Sequence, residues 1–202
     1  SLLSEGVLVC LPSGYEHSGE KRYPTLYIHD GKDAIVRGRY DRLLDRLATQ
    51  GTAPPVVAVF VAAPSDPTTR LSAFSHVPDP AFPEVKARGA EYADLLFSTV
   101  LPQVERRYRT NGTRAMLGID LAGPWSFHVV WNDTEKRFTR AASQSGRFGW
   151  GSAMGSMLET SPYMTLLKRD ASPPIAKLAV DWSDGDQYQT QVHDALKAAW
   201  NK

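Results

Sequence analysis

The stretch Arg114-Ala115-Met116-Leu117-Gly118-Ile119-Asp120-Leu121-Ala122-Gly123 decides the fold. Its first six residues, RAMLGI, read as a short strand, and Trp125 to Trp131 reads as a helix. Small residues stand at 118, 122 and 123. They let a helix pack closely on the strand it follows, around one strained acidic residue, Asp120.

The same alternation extends outward on both sides. Gly6 to Leu11 (GVLVCL) and Thr25 to His29 (TLYIH) read as strands, punctuated by Pro12-Ser13-Gly14 and entered through Pro24. Arg39 to Ala48 carries Leu43, Leu44 and Leu47 at helical spacing and ends at Gly51. Val56 to Ala63 (VVAVFVAA) is continuously apolar, which suits a central strand buried on both faces. Pro64 to Arg88 holds five prolines and reads as a long loop of the binding or lid kind. Glu91 to Tyr108 reads as the strongest helix, with Pro102 placed to kink or break it. Beyond the central turn come strands at Phe138–Ser143 and Ile175–Trp182, and helices at Met154–Leu167 and Tyr188–Trp200. This pattern predicts one α/β domain over residues 1–202, a mostly parallel sheet covered by helices on both faces. Ligands then gather at the carboxyl ends of the strands.

Composition narrows the function. The 202 residues are 42% hydrophobic and 22% charged, enough for a true core. With 23 basic and 22 acidic residues the net charge is +1, so nothing points to nucleic acid or an anionic membrane. Cys10 is the single cysteine, which excludes an internal disulfide framework and a cysteine zinc site. No histidine pair shows metal-ligand spacing, and neither a metal nor a cofactor is expected. The longest apolar run has eight residues, far short of the ~20 of a spanning helix. A soluble, cytoplasmic protein is the expectation, although the chain opens Ser1-Leu2-Leu3 without a Met, so that a targeting segment would not be visible in it.

The turn Gly118-Ile119-Asp120-Leu121-Ala122-Gly123 resembles the nucleophile elbow of α/β hydrolases, with Asp120 where serine normally stands. Four further segments carry the resemblance. Tyr23-Pro24-Thr25-Leu26-Tyr27-Ile28-His29-Asp30-Gly31 is similar to the strand and oxyanion loop of the esterase family that includes enterochelin and feruloyl esterases. Pro55 to Val61, followed by Arg70, resembles its next strand. Leu101-Pro102-Gln103-Val104-Glu105-Arg106-Arg107-Tyr108 resembles the helix before the elbow strand, and Ser143-Gln144-Ser145-Gly146 with Phe148 and Trp150 resembles a later strand end. Asp184-Gly185-Asp186 falls where the family places its triad acid. The resemblance implies a three-layer α/β-hydrolase-like sandwich, shortened at both ends. It also implies oxyanion donors at the backbone N–H groups of Leu121 and of Gly31 or Lys32.

The departures shape the expected activity. Asp120 has no hydroxyl, and the chain stops 16 residues past Asp186, before the family's base histidine. A serine hydrolase needs both. The expectation is therefore an esterase-family homologue that is impaired in catalysis, with Asp120 as a helix N-cap in a retired site or folded into the oxyanion hole. The alternatives are an active hydrolase with a base from elsewhere, an Asp120-nucleophile enzyme of the dehalogenase or epoxide-hydrolase kind, and a protein-interaction module. His76, in the proline-rich segment, is the candidate replacement base if it folds over the cleft. His29 reads as a structural residue that fixes the oxyanion loop, and His128 and His193 as packing residues. Arg70 either binds a substrate carboxylate or closes its loop through a salt bridge. Phe148 and Trp150 either line a pocket for an aromatic or sugar ligand or belong to the core. A small ester or carboxylate is the expected ligand, and the edge strands of a shortened sheet invite a homodimer.

Overall fold

Val57–Val61 (VAVFV), strand β3, is buried at all five positions. A residue run with no polar face can only sit between two layers, and the rest of the fold supplies them. The computed structural model describes residues 6–151, 161–169 and 177–181, together with 190–191, 193–194 and 197–198. Six strands form one sheet: β1 (Val7–Cys10), β2 (Tyr23–His29), β3, β4 (Thr110–Ile119), β5 (Arg140–Gln144) and β6 (Lys177–Asp181). Their spatial order is β1-β3-β2-β4-β5-β6. Only β1 runs antiparallel, against β3, and every other neighbouring pair is parallel. The fold is thus mixed α/β with a mostly parallel sheet, as the alternation predicts.

Strand residues alternate between two cores because successive side chains leave opposite faces. Tyr27, Val57, Val59, Val61 and Met116 face the larger core, which also takes Tyr92, Leu96, Val104, Trp125 and Phe127. Ile28, Ala58 and Phe60 face the smaller one, closed by Ala34, Tyr40 and Leu44. Helices α1 (Gly31–Val36) and α2 (Tyr40–Thr49) supply the latter residues. The larger core is covered by α3 (Pro67–Ala73), α4 (Gly89–Leu95), α5 (Leu101–Arg107), α6 (Ala122–Asn132) and α7 (Pro162–Arg169).

Three local expectations are corrected. The proline-rich segment is not all loop: Asp66 caps α3, its Oδ2 accepting from the Thr69 N–H at 2.8 Å, with Pro67 in the first turn. That is a helix start written in ordinary residues, Asp then Pro. The Glu91–Tyr108 helix is divided, with one turn of π-helix over Leu96–Val100 between α4 and α5. Pro102 has no N–H for the Ser98 carbonyl and its ring crowds that group, so the wider turn falls just before it. Gly31–Val36 forms a helix in a stretch for which the sequence gives no assignment. β4 starts at Thr110 rather than Arg114, because Tyr23 pairs with Thr110 past an irregularity in the register. The expected helix at Met154–Leu167 is described only from Pro162, and most of the Tyr188–Trp200 helix lies outside the described residues. Among the described residues, no helix is long and apolar enough to cross a membrane.

Candidate functional site

β2, β4 and β5 are neighbours in the sheet, and all three end at the same edge. Each end carries a residue in the left-handed region: Asp30 (φ 62°), Asp120 (φ 55°) and Ser145 (φ 49°). Non-glycine residues adopt positive φ uncommonly, Asp and Asn most readily. Three such residues at adjacent strand ends mark where the backbone turns sharply out of the sheet.

The middle turn is the tightest. β4 ends at Ile119, Asp120 reverses the chain, and α6 starts at Ala122 after Leu121. The Asp120 N–H donates to the Gln144 carbonyl at 3.0 Å, and its carbonyl accepts from the Gly123 N–H at 3.1 Å. Two glycines make this possible. A Cβ at 118 would overlap the Ala122 carbonyl, and one at 123 would overlap the Ser143 hydroxyl. The small residues that read as a close strand–helix approach do allow one.

The carboxylate of Asp120 does not fold back onto the Gly31, Lys32 or Leu121 amides. It is held between two guanidinium groups. Arg147 Nε donates to Oδ1 at 2.5 Å, and Arg70 Nη2 donates to Oδ2 at 3.1 Å. Arg70 is itself aimed by Asp30, donating from Nε at 3.0 Å to Oδ1 and from Nη2 to Oδ2. The array Asp30–Arg70–Asp120–Arg147 alternates in sign and sums to zero. Burial pushes the Asp30 carboxyl up, and Arg70 holds it part of the way back. Burial also works against the charge on Arg70, yet its pairs with Asp30 and Asp120 outweigh this and raise its pKa.

Asp120 opens onto a cleft of about 870 Å³. Tyr40, Leu43, Pro67 and Leu71 supply its less polar wall, with Ser65, Arg37 and Gln144 among the polar groups. The Tyr40 hydroxyl donates to Gln144 Oε1, tying α2 to the end of β5.

The expected site residues divide. Arg70 and Asp120 meet in the cleft, and the salt-bridge reading of Arg70 describes what it does there. His76 does not fold over the cleft. Its ring stacks on Trp125 at 6.2 Å and lies 3.6 Å from that of His128, with Nε2 at 3.3 Å from the Trp125 carbonyl. Burial, with His128 beside it, lowers its pKa to about 3, so it stays neutral. Gly31 and Lys32 line a separate hollow of about 380 Å³ with Leu8, Val36 and Phe60. Gly31 is pressed against the β3 backbone, where a Cβ would lie 2.7 Å from the Phe60 carbonyl carbon. Phe148 is fully buried against Phe127 and Tyr163, and Trp150 stacks on Phe82 at 5.2 Å. Both aromatics are core residues here and do not line the Asp120 cleft. Asp186 lies outside the described residues. Among the described residues, no group of three His, Cys, Asp or Glu is placed to hold a metal.

Two members of the array, Asp30 and Arg147, escape the sequence reading. The signal was their position. Asp30 follows β2 and Arg147 follows β5, the two strands flanking β4, at the sheet edge where ligands gather.

The enterobactin esterase from Shigella flexneri, solved with 2,3-dihydroxy-N-benzoyl-serine, superposes with a TM-score of 0.76 at 18% identity. The match covers 96% of this chain and 46% of that one, so the chain spans just under half the length of that relative. A ferulic acid esterase matches at TM-score 0.66 and 20% identity over 96% of this chain and 79% of its own. The siderophore hydrolase from Aspergillus nidulans matches at 0.69 and 16% over 97% and 73%. Identities this low speak for the fold alone. The family model described as "Putative esterase" matches residues 4–200, nearly the whole sequence. The chain belongs to that esterase family.

Proposed function

We propose that this esterase-family hydrolase homologue holds a small ligand in the Asp120 cleft and does not turn over esters by serine chemistry. One observation carries the reading: residue 120, at the turn where the family resemblance expects a nucleophilic hydroxyl, is an aspartate with both oxygens engaged by guanidinium groups. Acyl transfer needs a hydroxyl or thiol made nucleophilic by a neighbouring base. A carboxylate has no proton to give up. Two charge-assisted hydrogen bonds also draw electron density from the oxygens that would have to attack. The same bonds weigh against an Asp-nucleophile mechanism, since attack would have to break at least one of them.

The other requirement, an imidazole beside the nucleophile, finds no support among the described residues. His29 and His76 pack in the aromatic core rather than against Asp120. The experiment is hydrolysis of p-nitrophenyl butyrate by the purified protein. No burst and no saturable turnover are expected. Saturable hydrolysis that Asp120→Ala abolishes would sink the reading. Asp120→Ser tells how much of the machinery remains: ester hydrolysis in that variant means that the nucleophile alone was lost.

A further inference from the structure

Arg70 and Arg147 meet on the two oxygens of one carboxylate, and that carboxylate is supplied by the chain itself. We propose that the two arginines form a carboxylate-binding subsite and that Asp120 is its tethered occupant, which closes the cleft to acidic ligands. The proposal rests on the reading above that the cleft is a ligand site without serine chemistry.

The donors are arranged as a receptor would be. Arg70 cannot swing freely, because the buried Asp30 takes its Nε and one Nη2 proton in a two-point contact. That leaves Nη2 directed at Asp120 Oδ2. Arg147 lies on the open side with its side chain 60% exposed and reaches Oδ1 through Nε alone. Among the described residues its terminal nitrogens meet no acceptor, so its contact with Asp120 is one-point and open to water. A planar two-oxygen anion is what two converging guanidinium groups recognise.

The space beside this point fits the rest of such a molecule. The cleft holds about 870 Å³, with Tyr40, Leu43, Pro67 and Leu71 along the wall. The class is a small monocarboxylate with an apolar or aromatic body. In the native chain the subsite is full. Asp30 and Asp120 balance Arg70 and Arg147, and an incoming carboxylate would be a third negative charge against two positive ones. A tethered carboxylate also competes at an effective concentration that a free one at millimolar levels does not match. Neutral ligands meet no such penalty, which makes Asp120 the residue that sets the charge preference of the cleft.

The test is calorimetric titration with sodium benzoate and, separately, with neutral benzamide, at pH 7 and low salt. The native protein, Asp120→Asn and Asp120→Asn with Arg147→Gln are compared. Asparagine tolerates the positive φ at 120. Asp120→Ser stands in if that variant does not fold. Benzoate should bind Asp120→Asn at least about tenfold more tightly than the native chain, the gain expected from charge-assisted hydrogen bonds newly open to the ligand. Benzamide should not distinguish them, and Arg147→Gln should return benzoate affinity towards the native value. Equal benzoate affinity in native and Asp120→Asn protein, including no detectable binding to either, overturns the proposal. So does tight benzoate binding that survives Arg147→Gln. Ester turnover measured on the same native sample would sink the function proposed above and leaves this comparison standing.

Discussion

His29 and Asp30 are neighbours in the chain and face opposite electrostatic surroundings. His29 is fully buried, its ring 4.6 Å from Trp125 and 5.7 Å from Tyr92, with Nδ1 at 3.3 Å from the Tyr92 hydroxyl. Burial lowers its pKa to about 3. Asp30, one residue on, has turned through the left-handed region and sits in a lattice of alternating charges. His29 and His76, which would titrate near neutrality in water, are thus packed where they do not take a proton. The groups beside the cleft are guanidinium ions, which do not give one up. A serine hydrolase needs the reverse arrangement, with an imidazole beside the attacking atom.

Four measurements press on this contrast, the largest effect first. Trp125 anchors the dry layer: it is fully buried, packs on His29, Phe74, Tyr92 and His76, and donates from Nε1 to the Gly89 carbonyl at 3.0 Å. Trp125→Ala should cost about 3–5 kcal/mol by urea denaturation. A cost under about 1 kcal/mol would mean that the layer is loosely packed.

Acid should act through the same layer. The unfolded chain protonates His29 near pH 6.5, whereas the folded chain holds it neutral down to about pH 3. The unfolded state therefore binds more protons in that window. The stabilising contribution present above pH 6.5 is lost as pH falls, at up to about 1.4 kcal/mol per pH unit, or about 3 kcal/mol by pH 4. His76 adds a smaller share because it keeps some solvent contact. Stability measured from pH 7 to pH 4 should fall accordingly, and His29→Leu should flatten the slope. An equally steep slope in the variant would place the acid sensitivity elsewhere.

On the charged side the effects shrink with exposure. Asp30→Asn removes the buried carboxylate and leaves Arg70 with Asp120 alone, at about 1–3 kcal/mol, reduced because Arg70 is 27% exposed. Arg147→Gln should cost less than about 1 kcal/mol, since its pair with Asp120 is open to water. If the last two were reversed in size, Arg147 rather than Asp30 would be the member that holds the array together.

How far the sequence was legible follows the range of the interactions. The strands of residues 57–61 and 140–144, the α2 helix and the turn at Asp120 depend on periodicity and on small residues a few positions apart. Each is a local matter, readable from the chain. The capped helix at Pro67 was equally local, but it was hidden in a segment dominated by prolines. The π-turn before Pro102 was announced as a break, while its form was not. The site was harder. Asp120 and Arg70 stood out by position, yet the meaning of the aspartate depends on Arg147, 27 residues on, and on Asp30, 90 residues earlier. His76 looked free to reach the cleft because nothing in its neighbourhood of the sequence foretells that Trp125 and His128 will take it.

The chain by itself determined the alternation of strands and helices, the glycines that let α6 lie against β4, and the absence of a hydroxyl at residue 120. Those are consequences of side-chain size, chirality and spacing, which act within a few residues. Only the tertiary structure decided that the Asp120 carboxylate would be gripped by two guanidinium groups while the imidazoles of His29 and His76 were kept neutral. Ion pairing and desolvation are set by distances through space, and those exist only once the sheet has brought the ends of β2, β4 and β5 side by side.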